Sequence, residues 1–226
     1  MGINSKTQYI MIRANVNISG TVSKSASIRN DREGKPRFSF RVKVILPSET
    51  SDNNAMDVYV TANTPKNDFL QTLTEGKRVS ISGVMDIHPG KKNEQNRQEP
   101  PSFYLAADDI VTDNVAEIDS VSGTLTFIGG VAKDIEIKGT DRRQFLVFSA
   151  YSAEQDRQSE KWKYQYVRFL KFLQKDESPE ALRPDWLQYK SKVEIHGDLQ
   201  LSSYKGNISI SSRITELKQH IKKAPF

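Results

Sequence analysis

Gly76-Lys77-Arg78-Val79-Ser80-Ile81-Ser82-Gly83-Val84-Met85 reads as a turn glycine followed by a strand, with Val79, Ile81 and Gly83 on one face and Ser80 and Ser82 on the other. Period-two alternation of this kind marks a half-buried strand. A glycine where the next buried side chain is due predicts a bend or a close backbone approach, as at a barrel corner. The arrangement returns as Lys190-Ser191-Lys192-Val193-Glu194-Ile195-His196-Gly197-Asp198-Leu199, with Val193, Ile195, Gly197 and Leu199 in the buried positions. A basic turn, a strand and a kink glycine occurring twice point to a repeat of the whole chain.

Outward from these stretches the same order appears in both halves. Asn17-Ile18-Ser19-Gly20-Thr21-Val22 opens one copy and Ser120-Val121-Ser122-Gly123-Thr124-Leu125 the other, an offset of 103 residues (123 − 20). In the first copy strands are predicted over Arg37–Leu46, Met56–Ala62 and Phe103–Val111. A short helix precedes Gly76, with Thr64 as its cap, Pro65 in its first turn and Leu70 and Leu73 on one face. In the second copy strands are predicted over Gln144–Tyr151, Lys161–Phe172 and Asn207–Ile214. A helix capped at Ser178-Pro179 is expected to run through Trp186 and Leu187, and Gly129-Gly130 reads as a hairpin turn. The expected fold is all-β with short helices: two tandem five-stranded OB-fold barrels, residues 1–114 and 115–226, joined by a short segment at Thr112–Asp119.

Composition narrows the function. The chain has 226 residues, enough for two small cores, and no cysteine, which excludes disulfides and thiolate metal sites. No apolar run approaches the roughly 20 residues that span a bilayer, and Met1–Asn15 does not read as a signal peptide. The expectation is therefore a cytoplasmic protein with no membrane partner. The net charge of +5 is compatible with a nucleic-acid partner but does not by itself indicate one. The three histidines, His88, His196 and His220, are scattered. Neither a metal-ligand spacing, a phosphate-cradling glycine loop nor a nucleophile motif is legible, so the chain reads as a non-enzyme with no cofactor and no small-molecule substrate.

The strand faces carry the binding chemistry. In Arg37–Leu46, Phe38, Phe40, Val42 and Val44 share the core face, leaving Arg37, Arg41 and Lys43 in an outward basic row. Such a row is either a solvated face or a track for phosphates, where cations release counterions. Tyr59 projects outward from the next strand as a candidate stacking ring. In the second copy, Val167 and Phe169 as core residues put Trp162, Tyr164, Tyr166 and Arg168 outward together. Exposed rings interleaved with arginine suit base stacking; the alternatives are packing beneath the Ala153–Glu160 loop or an assembly contact. Phe145-Leu146-Val147-Phe148 is apolar on both faces, and Phe145 is taken as groove-facing. Lys77 sits at the mouth of its strand. Lys91, Lys92 and Arg97 lie in the polar loop before the last strand of the first copy, where they could close over a ligand or be plain loop.

Gly20, Val22, Gly34, Phe38, Phe40, Gly76, Val79, Ile81 and Gly83, with Gly123, Leu125, Val193, Ile195 and Gly197, form a pattern that resembles the bacterial single-stranded DNA-binding protein family in a two-domain version. The spacing of Tyr166 and Phe172 is similar to that family's third strand, where aromatic residues at both ends stack on bases. The resemblance implies sequence-tolerant binding of single-stranded DNA in replication, repair, recombination or mobile-element transfer, and a homodimer. RNA as an alternative ligand stays open. Two departures stand out. Lys222–Phe226 falls where the family carries an acidic tail, and Tyr59 stands where several aromatics are expected. The competing expectation is an OB-fold assembly module that uses the aromatic row to hold proteins. The apolar segment Thr7–Ile12 is a candidate arm for adding a strand to a neighbour or to its own barrel.

Overall fold

The structure, a computed structural model, describes residues 12–30, 33–48, 55–62, 69–90, 99–132, 135–140, 143–155, 161–174, 177–204 and 206–221. Its strands are β1 (Ile12–Asn30), β2 (Pro36–Ile45), β3 (Ala55–Ala62), β4 (Arg78–His88), β5 (Ser102–Val111), β6 (Ser120–Val131), β7 (Glu136–Thr140), β8 (Arg143–Gln155), β9 (Trp162–Phe172), β10 (Lys192–Tyr204) and β11 (Asn207–Gln219). Two single-turn helices, α1 (Phe69–Thr72) and α2 (Pro179–Leu182), precede β4 and β10. No helix among the described residues is long and apolar enough to cross a membrane.

Two closed circuits result. In the first, β1 pairs β2, β2 pairs β3, β3 runs parallel to β5, β5 pairs β4 and β4 returns to β1. In the second, β6, β8, β9, β11 and β10 repeat that order, with β9 parallel to β11. This is the partly open Greek-key barrel of the OB-fold. The long β1 has two counterparts in the second circuit, because β7 continues the pairing along β8 where β6 stops. The alternation expected for β4 and β10 holds: Val79, Ile81, Val193 and Ile195 are buried. Both kink glycines mark a register irregularity, between Ser82 and Gly83 and between His196 and Gly197. A side chain at either would strike the facing strand's backbone, which explains the missing Cβ.

The registers correct the repeat offset. Val79 and Val193 each stand four residues before a kink glycine; Val79 pairs with Gly20, but Val193 pairs with Gly129, not Gly123. The Val22 amide donates to the Lys77 carbonyl as the Val131 amide does to Ser191, both at 2.9 Å. The true offset along the first strand is thus 109 (129 − 20). Gly129 and Gly130 are not a turn: they lie inside β6, at a close crossing with the Tyr151 backbone and ring.

Gly123 has another purpose. β1 pairs antiparallel with β6 from Ile12↔Phe127 to Ser19↔Ser120, so both circuits share one sheet. With the 109 offset, Asn15 and Thr124 are equivalent positions (124 − 15), and they face each other. Ile12↔Phe127 and Ile18↔Val121 are then images of one another. Equivalent residues exchanging partners is the signature of an isologous, two-fold contact, here built within one chain. At Gly123 an added Cβ would collide with the Asn15 carbonyl and come within 2.9 Å of the Val16 Cα.

Local expectations need adjusting elsewhere. At α1 the residues turned inward are Phe69 and, just after the helix, Leu73; Leu70 is exposed. Thr64 and Pro65 lie outside the described residues. α2 ends at Leu182 rather than running through Leu187, because Pro184 interrupts it and turns follow, closed by Leu187 N–H to Pro184 O at 2.9 Å and Ser191 Oγ to Trp186 O at 2.7 Å. Ser178 occupies the cap position without a side-chain capping bond. The segment Thr112–Asp119 is docked: Arg78 pairs with Asp119, donates to the Ala116 carbonyl at 2.6 Å, and Asp119 accepts the Ile45 amide at 2.7 Å. One contiguous apolar cluster, from Ile12 to Ile214, links both circuits.

Gly123→Val is expected to cost about 1–3 kcal/mol by overpacking the shared seam. Ser122→Val, one position along and exposed, should stay within about 0.5 kcal/mol. Denaturant unfolding of both variants checks this, with faster amide exchange over Ile12–Ser19 in the first.

Candidate nucleic-acid interface

In an OB-fold the β2–β3 face and the flanking loops take the ligand; the corresponding face of the second circuit is β8–β9. The second face is aromatic. Val167 and Phe169 are fully buried, and parity turns Trp162, Tyr164 and Tyr166 outward at 56%, 43% and 57% exposure, with Arg168 beside them. Leu146, Phe148 and Ala150 are core, so Phe145 and Tyr151 share the outer face of β8. Tyr151 meets Tyr164 at 5.7 Å and Tyr166 at 6.1 Å between ring centroids. At the far end Phe145 meets Phe172 at 5.5 Å, and the Arg213 guanidinium lies 5.0 Å over the Phe172 ring. Rings therefore occupy both ends of the face, with Arg168 between them. An open groove of about 390 Å³ follows this edge from Tyr166 and Arg168 to Tyr204 and Asn207 at the β10–β11 turn.

The first face is charged. Arg37 and Lys43 are exposed on β2, and Arg41 is half-buried with its guanidinium 4.5 Å over the Tyr59 ring. Tyr59 stacks on Tyr104 of β5, with centroids 5.2 Å apart and planes inclined by 20°. The registers equate Arg41 with Ser149, Lys43 with Tyr151, Asp57 with Tyr166, Tyr59 with Arg168 and Tyr104 with Ser211. Tyr59, Tyr104, Tyr151 and Tyr166 thus each correspond to a charged or hydroxyl residue in the other circuit.

Lys77 stands apart from this cluster. It occupies the turn before β4, the end opposite His88, and its backbone serves Val22. Lys91, Lys92 and Arg97 lie outside the described residues, as do residues 7–11 of the proposed arm. Sequence reasoning passed over Tyr104, Tyr151 and Arg213. Parity was the available signal for Tyr104 and Arg213, since Phe103 and Leu105, and Ile210 and Ile214, are the buried alternates; the strand of Tyr151 is apolar on both faces and gives no such signal.

The two faces meet across the seam. His88 at the end of β4 pairs with Glu154 of β8 at 3.0 Å, and its ring stands nearly perpendicular to Tyr104. The reciprocal contact is the Ser203 amide donating to the Pro47 carbonyl at 3.0 Å. The end of β4 thus meets the end of β8, and β10 meets the chain just after β2. Among the described residues no group of His, Asp and Glu is arranged to hold a metal ion; His196 and His220 instead share Glu194.

No family model matches this chain, and no curated protein does. Solved structures do. An engineered variant of the single-stranded DNA binding protein from Thermus aquaticus aligns over 96% of this chain and 98% of its own, at 11% identity and a TM-score of 0.46. The wild-type Thermus aquaticus protein aligns over 94% of this chain and 95% of its own, at 12% identity and 0.42. A small single-stranded DNA-binding protein from Streptomyces coelicolor covers 45% of this chain and 95% of its own, at 19% identity and 0.35.

The His88 pKa is raised, first by its hydrogen bond to Glu154, then by the charges of Glu154 and Asp86, against the opposing pull of burial. A raised folded-state pKa means the pair's contribution to stability is complete below the unfolded histidine value of about 6.5. It is lost as pH climbs through the raised value. His88→Gln should therefore lower the melting temperature most in mildly acidic buffer, with the gap to the parent closing in alkaline buffer.

Proposed function

We propose that this chain is a sequence-tolerant single-stranded DNA-binding protein made of two OB-fold units, 1–114 and 115–226, acting in replication, repair, recombination or mobile-element transfer. The observation that carries this reading is the outer face of β8–β9. Trp162, Tyr164, Tyr166 and Phe172 are exposed there beside Arg168 and Arg213. Exposed rings forgo burial, and nucleobases restore it by stacking, with about 1–3 kcal/mol per base. Arginine between rings neutralises the phosphates that link stacked bases. The first unit supplies the complement: Arg37, Arg41 and Lys43 hold the backbone. Binding involves no bond making or breaking. Two such chains assemble as a homodimer, which raises the effective concentration of each further site on a long strand.

Titration with labelled oligo-dT tests the reading, with protein fluorescence following Trp162. Trp162→Ala and Tyr166→Ala should each weaken binding by about 1–3 kcal/mol without shifting the melting temperature. Replacing Arg41 or Lys43 by Gln should reduce the salt slope by about one. An intact protein that ignores oligo-dT while self-associating through the aromatic face would replace this reading with an assembly role. Light scattering reports the dimer: a mass near one chain, 25.6 kDa, with and without a long oligonucleotide would exclude it.

A further inference from the structure

We propose that Tyr104 is the ring on which a nucleobase stacks in the first unit, and that Tyr59, the residue the sequence nominates, is its support. The proposal rests on the single-stranded DNA reading above and refines it.

A ring offers two faces to planar partners. β3 lies between β2 and β5 in the sheet, so Tyr59 has neighbours on both sides. Arg41 pairs with Tyr59 across one strand boundary and Tyr104 pairs with it across the other. The Arg41 guanidinium is 4.5 Å over the ring, and Tyr104 is stacked at 5.2 Å. Both faces of Tyr59 are occupied within the protein. A base could reach it only by parting a cation–π contact or a ring stack, each favourable in its own right.

Tyr104 stands at the end of that stack and remains 47% exposed. Beyond it on β4, Asp86 is drawn away into a 2.8 Å ion pair with Arg13. His88 approaches at 5.3 Å with its plane at 84° to the tyrosine, an edge contact rather than a stack. The part of the ring that neither Tyr59 nor the His88 contact covers accounts for that exposure, and it is the surface a base would stack on. At the other end, a guanidinium lying over a ring keeps its N–H donors at its rim, where phosphate oxygens can reach them. Arg41, Tyr59 and Tyr104 form one rigid ladder across three strands, with a phosphate end and a base end. His88 ties the base end to Glu154 of the second unit, so a strand leaving Tyr104 passes directly onto the β8–β9 hairpin.

The test uses the full chain and oligo-dT, with fluorescence anisotropy for affinity and 5-iodouracil photocross-linking for contact. Tyr104→Ala and Tyr104→Leu should each weaken binding at least about five-fold, and Tyr104→Phe, which keeps the stacking face, should stay within about two-fold. Cross-links should map to Tyr104 and not to Tyr59. If the alanine variant fails to fold, the leucine and phenylalanine pair together with the cross-link map still decide. Parent-like affinity of Tyr104→Leu, or adducts at Tyr59, overturns the assignment and leaves DNA binding standing. A parent protein that does not bind oligo-dT overturns both.

Discussion

The antiparallel contact between β1 and β6 is the constraint on which the rest of this molecule depends. It joins two strand circuits edge to edge, centred on Asn15 and Thr124. An OB-fold barrel has a strand edge that water or another strand must satisfy, and here each unit satisfies the other. The contact is possible because Gly123 has no side chain where β1 passes. It orders the junction as well, since Asp119, one residue before β6, receives Arg78 and the Ile45 amide. The two units consequently share an apolar cluster and do not behave as beads on a linker.

The internal two-fold axis has chemical consequences because the two halves obey it in backbone and break it in side chains. Positions that coincide by register carry Arg41, Lys43, Asp57 and Tyr59 in one unit and Ser149, Tyr151, Tyr166 and Arg168 in the other. One scaffold thus presents a predominantly cationic face and a predominantly aromatic face, joined through His88 and Glu154 at the seam. A single strand has phosphates and bases along its whole length, so both faces suit the same ligand. On the reading proposed above, they engage it through interactions that respond differently to salt: charge neutralisation weakens with ionic strength, and ring stacking does so much less.

Much of this was legible in the sequence. Strict alternation in Arg78–Gly83, Lys192–Gly197 and Trp162–Phe169 decides which side chains are inward, because a strand has only two faces. The kink glycines announce their bulges for the same reason. Where alternation lapses, legibility lapses with it: Phe145-Leu146-Val147-Phe148 has apolar residues on both faces, and Val147 on the outer side is buried as well, although it stands outside the main apolar cluster. Leu70 and Leu73 could not be ranked from so short a helix, since a single turn contains too few residues to define a face.

What the sequence determined alone is a repeated five-strand pattern, the inward and outward sets of its clean strands, and the aromatic row on the second unit. These are local properties, set by periodicities of a few residues. What only the tertiary structure decided is everything that depends on register between distant strands. The resemblance of Ser19-Gly20-Thr21 to Ser122-Gly123-Thr124 suggests an offset of 103, yet hydrogen bonds to β4 and β10 set it at 109. Gly123 owes its identity to a strand more than a hundred residues away. Likewise Tyr59 looks like a free ring until the parallel pairing of β3 with β5 lays Tyr104 against it, 45 residues downstream (104 − 59). Side-chain parity is written into each segment; the register that brings two segments together is a cooperative outcome of the whole sheet.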